Sequence, residues 1–401
     1  MRGIRHIDLT DVQLASSETA RHINRDIVLE LIRTSQPISR ADLARRSGLQ
    51  RSTVSQIVEQ LIREKWVREG SVASAPRGRR PTLIGLNEDL VAIAIDVHPR
   101  QAIVAIVDLN GRLLSRSLVP LTSDPEASTR MLIECMQRME HVPRKSIEGI
   151  GISLPGRVDP ATQKLTFAPN LHWPDFDIKK VIETRMNLPV KMENAATASL
   201  LAELTFARMD GTRDAVLVTV SEGVGTGVFA NGQLITGKHG LAGEFGHIPV
   251  DPGGPRCACG QNGCWETFSS CTAALRYYRE LQPRARPIDF PELLNLAEEG
   301  NPHAARALEK QATSIGRGLR MIIAALSPST ILITGEICPA WHRFGPIIER
   351  EAALLTLAGE PPVIRPGHEG EVARLRGAAA LVFQRRGLLD SAGAEEGLTA
   401  R

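Results

Sequence analysis

The residues with the clearest potential for chemistry lie close together in the second half of the 401-residue chain. His247 is followed by Cys257, Cys259 and Cys264, which brings one imidazole and three thiols into a short Gly-rich segment. These are ligands that zinc prefers, and four of them form a closed tetrahedral site with no position left for water. The alternative, three buried cysteines beside a surface histidine, is disfavoured by the spacing. The sequence therefore predicts a structural Zn²⁺ ion.

The composition excludes several broad classes of protein. The chain has 48 Lys and Arg against 45 Asp and Glu, and 42% of its residues are hydrophobic. This length predicts two or three domains, and the balance excludes a collagen-like or globally disordered chain. No apolar run reaches the roughly 18–20 residues that span a bilayer, and the first residues do not resemble a signal peptide. We expect a soluble, cytoplasmic protein with no membrane partner.

Positive charge is concentrated at the start of the chain. Residues 1–86 contain 15 Lys and Arg against 9 Asp and Glu, a net charge of +6, whereas the remainder carries −3. A basic head on a slightly acidic body indicates an anionic partner, most commonly nucleic acid.

Helical periodicity in this head predicts a helix-turn-helix. A first helix over 23–35 is expected to place Ile27, Leu31 and Ile32 on one face. Ser39 is expected to cap a short second helix, and Gly48 to form the turn that follows it. Two helices joined by such a short turn are typical of DNA-binding proteins.

A third helix, expected from about residue 51 to 65, has two distinct faces. The stripe expected to be buried comprises Val54, Ile57, Val58 and Leu61. Short donors and acceptors that suit base edges and phosphates lie on the other side, near the start of the helix: Gln50, Arg51, Ser52, Thr53, Ser55 and Gln56. By itself, that pattern is equally compatible with an ordinary solvated face.

Two predicted strands at 66–70 and 82–86 form a wing behind the helices. The segment between them contains four residues that suit a narrow minor groove: Arg77, Gly78, Arg79 and Arg80. Alone, such a segment is more often a linker, but its position behind a helix-turn-helix favours DNA contact. We predict an N-terminal extension at 1–20, a winged helix-turn-helix at 21–86, and double-stranded DNA as a partner.

From residue 87 onward, strands and helices alternate, and a similar succession begins again near residue 214. Two such halves predict an α/β domain with an actin-like fold of the sugar-kinase or ribonuclease-H-like type, which binds ligands in the cleft between its lobes. The first lobe is assigned to 87–208 and the second, with the zinc loop, to 209–401. The C-terminal helix is then able to pack back on the first lobe, and the tail at 388–401 is expected to be flexible.

The segment 243–266, GEFGHIPVDPGGPRCACGQNGCWE, resembles the signature of the ROK family of repressors, open reading frames and sugar kinases. The resemblance covers about residues 20–390. GRRP after a winged helix-turn-helix is similar to the repressor branch of that family, which includes repressors of xylose and N-acetylglucosamine genes, whereas ROK kinases lack the DNA-binding head. The resemblance implies a regulator that binds an operator and responds to a sugar.

The resemblance also implies a sugar site, whose residues can be placed on this chain: Gly156, Arg157, Asn170, Asn194, Glu244, His247 and Glu266. Paired acceptors and donors suit vicinal hydroxyls, and His247 would serve twice, with one ring nitrogen on zinc and the other on a sugar hydroxyl. Taken singly, Glu244 or Asn194 is more often a cap or a solvated residue. Their joint occurrence favours the sugar site.

Two departures from the kinases of the family argue against catalysis. Family kinases have an Asp general base where this chain has Ala195, and a methyl group accepts no proton. Their first phosphate loop is Asp-x-Gly-Gly-Thr, whereas residues 96–100 are Asp-Val-His-Pro-Arg, without the glycines that admit phosphate. A second Gly-rich turn at 223–227 is retained, but only Gly335 remains at the place of the adenosine loop.

We therefore predict a sugar-responsive transcriptional repressor with a catalytically inactive kinase-like sensor, acting as a homodimer or a tetramer. One alternative is an ATP-dependent ROK sugar kinase with an appended DNA-binding head. Another is a regulator whose sensor docks a protein and binds no sugar. A sugar that acts as inducer and one that acts as co-repressor are equally consistent with thermodynamic coupling between the two sites.

Overall fold

The computed structural model describes residues 17–72, 82–139, 145–168, 171, 173, 176–207, 209, 211–354, 360–368 and 370–384. The arginine segment of the wing, Asn170 and the tail at 388–401 lie outside the described residues. The chain forms two compact units, one containing the residues up to Leu90 and the other comprising Val91–Phe383. The domain boundaries proposed from the sequence stay predictions.

The described residues of the first unit form three helices and a three-stranded sheet. Its elements are α1 (Ser17–Ser35), β1 (Ile38–Ser39), α2 (Arg40–Ser47), α3 (Arg51–Arg63), β2 (Val67–Val72) and β3 (Thr82–Leu86). β3 lies between β1 and β2 and pairs antiparallel with both. The predicted wing of β2 and β3 is present, and β1 adds a strand that the sequence did not predict.

Local sequence determines the connection from α2 to α3. The Ser39 hydroxyl accepts a hydrogen bond from the Asp42 amide at 3.2 Å and caps α2. Gly48 ends that helix in the left-handed conformation, with φ 71°, which glycine adopts without strain. α3 buries all four residues of its predicted stripe.

The buried face of α1 differs from the prediction. Val28 and Ile32 are buried, whereas Ile27 is 41% exposed. The face that packs inward begins with Arg25, which is buried and makes a 2.6 Å ion pair with Glu64 next to the end of α3. Residues 25, 28, 29 and 32 share one side of a helix, so this pairing rotates Ile27 toward solvent.

In the second unit, the first lobe is built on a five-stranded sheet with the order β10-β7-β4-β5-β6. Its elements are β4 (Leu90–Val97), β5 (Gln101–Asp108), β6 (Leu113–Pro120), α4 (Pro125–Met139), β7 (Ser146–Leu154), β8 (Arg157–Val158), β9 (Leu165–Phe167), α5 (Ile178–Met186), β10 (Val190–Asn194) and α6 (Ala195–Phe206). β8 and β9 form a separate small ribbon.

The second lobe is built on another five-stranded sheet, with the order β15-β14-β11-β12-β13. Its elements are β11 (Ala215–Val220), β12 (Val224–Ala230), β13 (Gln233–Leu234), α7 (Glu266–Ser269), α8 (Cys271–Leu281), α9 (Phe290–Glu298), α10 (Pro302–Leu326), β14 (Thr330–Gly335), α11 (Trp341–Ala353), β15 (Val363–Pro366) and α12 (Ala373–Gln384). Short 3-10 helices occur at Lys238–Gly240, Phe245–His247, Cys338–Ala340 and Gly370–Val372.

The two lobes share one strand order. In each, three consecutive strands pair antiparallel, as β4-β5-β6 and as β11-β12-β13, and two later strands extend the sheet beyond the first of the three. β4 and β11 are completely buried. This repetition confirms the predicted two-lobed, actin-like fold, and it brings the ends of β4 and β11 to one cleft.

The last helix, α12, lies against the first lobe. A Cβ atom at Gly151 of β7 would overlap the carbonyl oxygen of Ala378, and one at Gly377 would overlap that of Ala198 in α6. The backbone of α12 therefore packs directly on the backbone of β7 at Gly151 and on that of α6 at Gly377. In the described part of the chain, no helix has both the length and the apolar character that crossing a membrane requires.

Candidate functional site

Four side chains from the loop that precedes α7 converge on one point. One ligand atom from each of His247, Cys257, Cys259 and Cys264 lies within 4.8 Å of all the others. His247 Nδ1 is 3.5 Å from Cys257 Sγ, and Cys259 Sγ is 3.6 Å from Cys264 Sγ. Zn–S bonds of about 2.3 Å and Zn–N bonds of about 2.0–2.1 Å place tetrahedral ligand atoms about 3.5–3.8 Å apart. The cluster could therefore hold a metal, and its donor set and spacing fit zinc.

The loop around the cluster is folded by backbone contacts. Gly263 has a φ of 66°, and a Cβ atom there would overlap the carbonyl oxygen of Asp251. The Cys257 amide donates to Gln261 O at 2.9 Å, which closes a tight turn over Cys259. Burial raises the pKa of the Cys257 thiol, so a thiolate there needs a nearby cation to stabilise it.

A cavity of about 490 Å³ lies next to the cluster and is lined by both lobes. Its volume falls within the range of about 300–1,000 Å³ that is typical of small-molecule sites. The charged side chains of its lining are segregated. The wall formed by the first lobe and α12 carries His98, Arg100, Arg157 and Arg374, and the wall of the second lobe carries His247 and four carboxylates: Glu222, Glu244, Glu266 and Glu336.

All the described members of the predicted sugar site line this cavity: Gly156, Arg157, Asn194, Glu244, His247 and Glu266. Glu244 lies between two of them, with one carboxylate oxygen 3.8 Å from Arg157 Nε and the other 3.7 Å from His247 Nε2. The two ring nitrogens of His247 thus face different partners, Nδ1 the cysteines and Nε2 the cavity side.

Glu266 connects the metal cluster to the glycine turn. Its Oε2 accepts a hydrogen bond from the Val224 amide at 3.0 Å, and its Oε1 lies 3.5 Å from Cys257 Sγ. A Cβ atom at Gly223 would overlap Oε2, so the glycine makes room for the carboxylate. The position of Glu266 is therefore fixed by both the turn and the cysteine loop.

Asn194, a member of the predicted sugar site, also caps a helix. Its Oδ1 accepts a hydrogen bond from the Thr197 amide at 2.8 Å and caps α6. The cap uses one lone pair of the side-chain oxygen and leaves the amide NH₂ free to donate to a ligand. Burial of its carboxyl raises the pKa of the preceding residue, Glu193, to about 7.

A contact between the lobes lies next to the cavity. His239 Nδ1 in the second lobe is 3.0 Å from Asp159 Oδ2 in the first, and a Cβ atom at Gly240 would overlap the carbonyl oxygen of Val158. Hydrogen bonds from Thr162 and His239 lower the pKa of Asp159 to about 2. The lobes therefore touch through a hydrogen-bonded pair of side chains as well as through the backbone.

In the head, the predicted DNA-facing residues lie at the start of α3 or cap it. Gln50, Arg51, Ser52 and Gln56 are exposed, and Thr53 and Ser55 are half-buried. The face opposite the apolar stripe is therefore open to solvent in the described part of the head. The predicted wing residues Arg77, Gly78, Arg79 and Arg80 are outside the described residues.

Comparison with known proteins identifies the family to which the chain belongs. The sequence model of the ROK family matches residues 92–385, and that of the IclR helix-turn-helix domain matches residues 28–71. The chain belongs to the ROK family.

Relatives of this ROK protein include repressors. It is 32% identical to the xylose repressor of Bacillus subtilis over 331 residues, which cover 81% of this chain and 85% of the relative. It is 28% identical to the transcriptional dual regulator NagC of Escherichia coli over 371 residues, covering 88% and 91%.

A solved structure, that of a ROK transcriptional regulator homologous to the Escherichia coli MLC protein, superposes with a TM-score of 0.78 at 25% identity. The match covers 91% of this chain and 96% of that one. With the helix-turn-helix match, these similarities make the chain a ROK-family transcriptional regulator that resembles the xylose and N-acetylglucosamine repressors.

Sequence reasoning missed one group of cavity residues in this ROK protein. In the loop after β4, His98 directs Nε2 to Asp96 Oδ2 at 2.8 Å and Nδ1 to an Arg374 guanidinium nitrogen at 3.4 Å. No spacing rule connects His98 with a residue 276 positions later. Glu222 and Glu336 were missed for a different reason, since each is an ordinary polar residue that follows a strand.

Proposed function

We propose that this ROK protein is a sugar-responsive transcriptional repressor of carbohydrate uptake or catabolic genes, acting on DNA in the cytoplasm. The observation that carries the proposal is the occurrence, in one chain, of a helix-turn-helix head and a cavity whose lining unites carboxylates, an amide, an imidazole and a guanidinium. The first suits an operator and the second suits a polyhydroxylated ligand.

On DNA, a homodimer inserts two copies of α3 into major grooves about one helical turn apart. Arg51 and its polar neighbours contact base edges and phosphates there. The guanidinium groups of Arg79 and Arg80 enter the flanking minor grooves, where a narrow groove attracts them.

In the sensor, the effector is a sugar or sugar derivative bound between the lobes. Glu244 and Glu266 accept hydrogen bonds from ring hydroxyls, Asn194 donates from its amide nitrogen, and Arg157 holds Glu244 in place. Zn²⁺, when bound by His247 and the three cysteines, supplies structural support to the loop and orients the imidazole.

The same cavity is proposed to perform no phosphoryl transfer. Ala195, the first residue of α6, lines it with a methyl group that accepts no proton. The loop at 96–100 lacks the glycines of a phosphate loop and contains Pro99, which donates no amide hydrogen bond.

Effector binding is proposed to change the closure of the lobes and, through the dimer, the spacing of the two heads. A ligand that favours one closure state by a few kcal/mol changes operator occupancy substantially. We propose that the sugar acts as an inducer, so that its binding disfavours the spacing that fits the operator.

The proposal is tested by selecting DNA sequences from a random pool with the full-length protein, and by repeating the selection in the presence of single monosaccharides. We expect a palindrome with A·T-rich flanks that one sugar releases. Glu244→Gln should retain the palindrome and lose the release, with the exposed Glu126→Gln as control. No enriched sequence, or sugar-dependent consumption of ATP, would overturn the proposal and favour the kinase alternative.

The wing is tested separately with Arg79→Ala combined with Arg80→Ala. The double variant should bind the selected operator more weakly, and the slope of log K against log salt should fall by about two if both side chains lie on phosphates or in the groove. Arg306→Ala in α10, an exposed arginine of the second lobe, is the matched control. An unchanged slope in the double variant would remove these arginines from the DNA interface.

A further inference from the structure

The wall of the cavity formed by residues 96–100 and α12 carries two guanidinium groups. Arg100 and Arg374 line it, together with the imidazole of His98. Arg100 is exposed and Arg374 is half-buried. Within the part of the chain that the structure describes, no carboxylate lies within 4.0 Å of either guanidinium group. Their charges are therefore directed at the cavity without local ion pairs.

Arg374 is held in position by a chain of contacts that ends in the core. Asp96 is 2% exposed at the end of β4, and its Oδ2 accepts from His98. His98 in turn contacts Arg374 with its other ring nitrogen. Asp96 Oδ1 has no hydrogen-bond partner among the described residues, so His98 is the polar contact of this buried carboxylate. A guanidinium fixed in this way is organised before a ligand arrives.

The opposite wall carries Glu222 and Glu336, which line the same cavity. An anionic group is therefore attracted to the first-lobe wall and repelled from the second, which gives it one place and one orientation. Ala195 lines the cavity as well and adds no charge to it.

We propose that Arg100 and Arg374, the latter positioned by His98, form a subsite for an anionic substituent of the effector, either a phosphate ester or a carboxylate. Planar guanidinium groups recognise both with paired hydrogen bonds. This inference rests on the proposed function, because it specifies the chemical class of the sugar derivative. The neutral ring is bound by Glu244 and Glu266, and the anion by the cationic wall.

The test is calorimetric titration of the full-length protein with three sets of probes. Xylose, glucose and N-acetylglucosamine are titrated as free sugars and as their phosphate esters, and glucuronate supplies the carboxylate. We expect one charged derivative to bind at least tenfold more tightly than its neutral parent. The phosphate and carboxylate probes decide which anion the subsite takes.

Two variants localise the effect. Arg374→Gln should lower the affinity for the charged derivative about tenfold, toward that of the neutral parent, and leave the affinity for the parent within about twofold. The exposed Arg100→Gln should act in the same direction without any risk to folding, and the exposed Arg116→Gln in β6 is the control. An equal loss for charged and neutral forms in Arg374→Gln would overturn the subsite.

The outcomes separate this inference from the function on which it rests. Binding of neutral sugars with no preference for any charged form overturns the anionic subsite alone. An absence of heat with every sugar, charged and neutral, overturns the proposed sugar effector and the subsite with it.

Discussion

The two lobes of the sensor have the same strand order but use the ends of their strands differently. After β4, the first lobe has a loop without glycine at 96–100, which together with α12 contributes guanidinium groups to the cleft. After β11, the second lobe retains its glycine turn and contributes carboxylates, and its helical part begins with the cysteine loop. The two sheets have the same strand order, whereas the charged side chains that line the cavity come from the loops that follow the strands and from α12. Changes that affect one lobe alone test this division.

The largest expected effect is on the metal cluster of the second lobe. Cys259→Ser should reduce bound zinc from about one ion per chain and lower the free energy of unfolding by several kcal/mol, because a structural site binds its metal with folding free energy. Metal analysis and denaturant unfolding measure both. Amide exchange should rise in the cysteine loop and not in the sheet of the first lobe.

Cys338→Ser, in the same lobe and outside the cluster, is the matched control for this change. It should retain the full metal content. A Cys259→Ser protein that is equally stable and fully metallated would refute the zinc assignment.

A smaller effect is expected from the helix that closes the first lobe. Gly377→Ala places a methyl group on the backbone of Ala198 and should cost about 3 kcal/mol of unfolding free energy, since neither backbone can move aside. Helix propensity alone predicts the opposite, a gain of about 1 kcal/mol. The sign of the change in a denaturant titration therefore decides whether this contact is as close as described. Gly70→Ala, whose nearest neighbouring atom would be 3.8 Å away, is the control.

The first lobe should also respond to pH through Glu193. Its pKa is about 7 in the folded state and 4.5 ordinarily, so between these values the folded protein keeps a proton that the unfolded chain releases. Stability should therefore fall as the pH rises from about 4.5 to 7, by the order of 1–3 kcal/mol, and change no further from this group above 7. Glu193→Gln should flatten this part of the stability profile, and the exposed Glu126→Gln should not. An unaltered profile would place the proton elsewhere.

The smallest effect is expected from placing a carboxylate at position 195, the first residue of α6. Ala195→Asp should produce no ATP-dependent phosphorylation of any monosaccharide, because the loop at 96–100 still lacks its glycines. A coupled assay for ADP release measures this. Activity in this single variant would show that the second lobe's glycine turn suffices to hold a nucleotide.

Much of the fold follows from patterns that the sequence displays locally. The stripe of α3 has a strict helical period, and the buried residues match it. The cysteine cluster is recognisable because its ligands lie within one loop. Ile27 was misplaced because a charged residue, Arg25, occupies the buried face of α1 through its ion pair with Glu64. A prediction from hydrophobic periodicity assigns only apolar residues to the buried face, so it does not place a charged residue there.

Other features depend on tertiary proximity and leave no local pattern. β1 has two residues, too few for an alternation to be seen. The contact between His98 and Arg374 joins the end of β4 to the start of α12, and it exists only once α12 has packed on the first lobe. The sequence shows that residues 96–100 contain no glycine, whereas the guanidinium groups beside them, those of Arg100 and Arg374, come from two distant parts of the chain.

The glycines of the turn at 223–227 are in close contact with neighbouring parts of the fold. Gly223 makes room for the Glu266 carboxylate, and Cβ atoms at Gly225 and Gly227 would lie 3.2 and 2.9 Å from atoms of Ala196. Steric demand from a carboxylate and a helix is thus enough to retain Gly223 and Gly227, and Gly225 lies in a tight contact with the same helix. A motif that originates with one ligand can persist through the inheritance of a fold after that ligand is lost, since its neighbours still require the space.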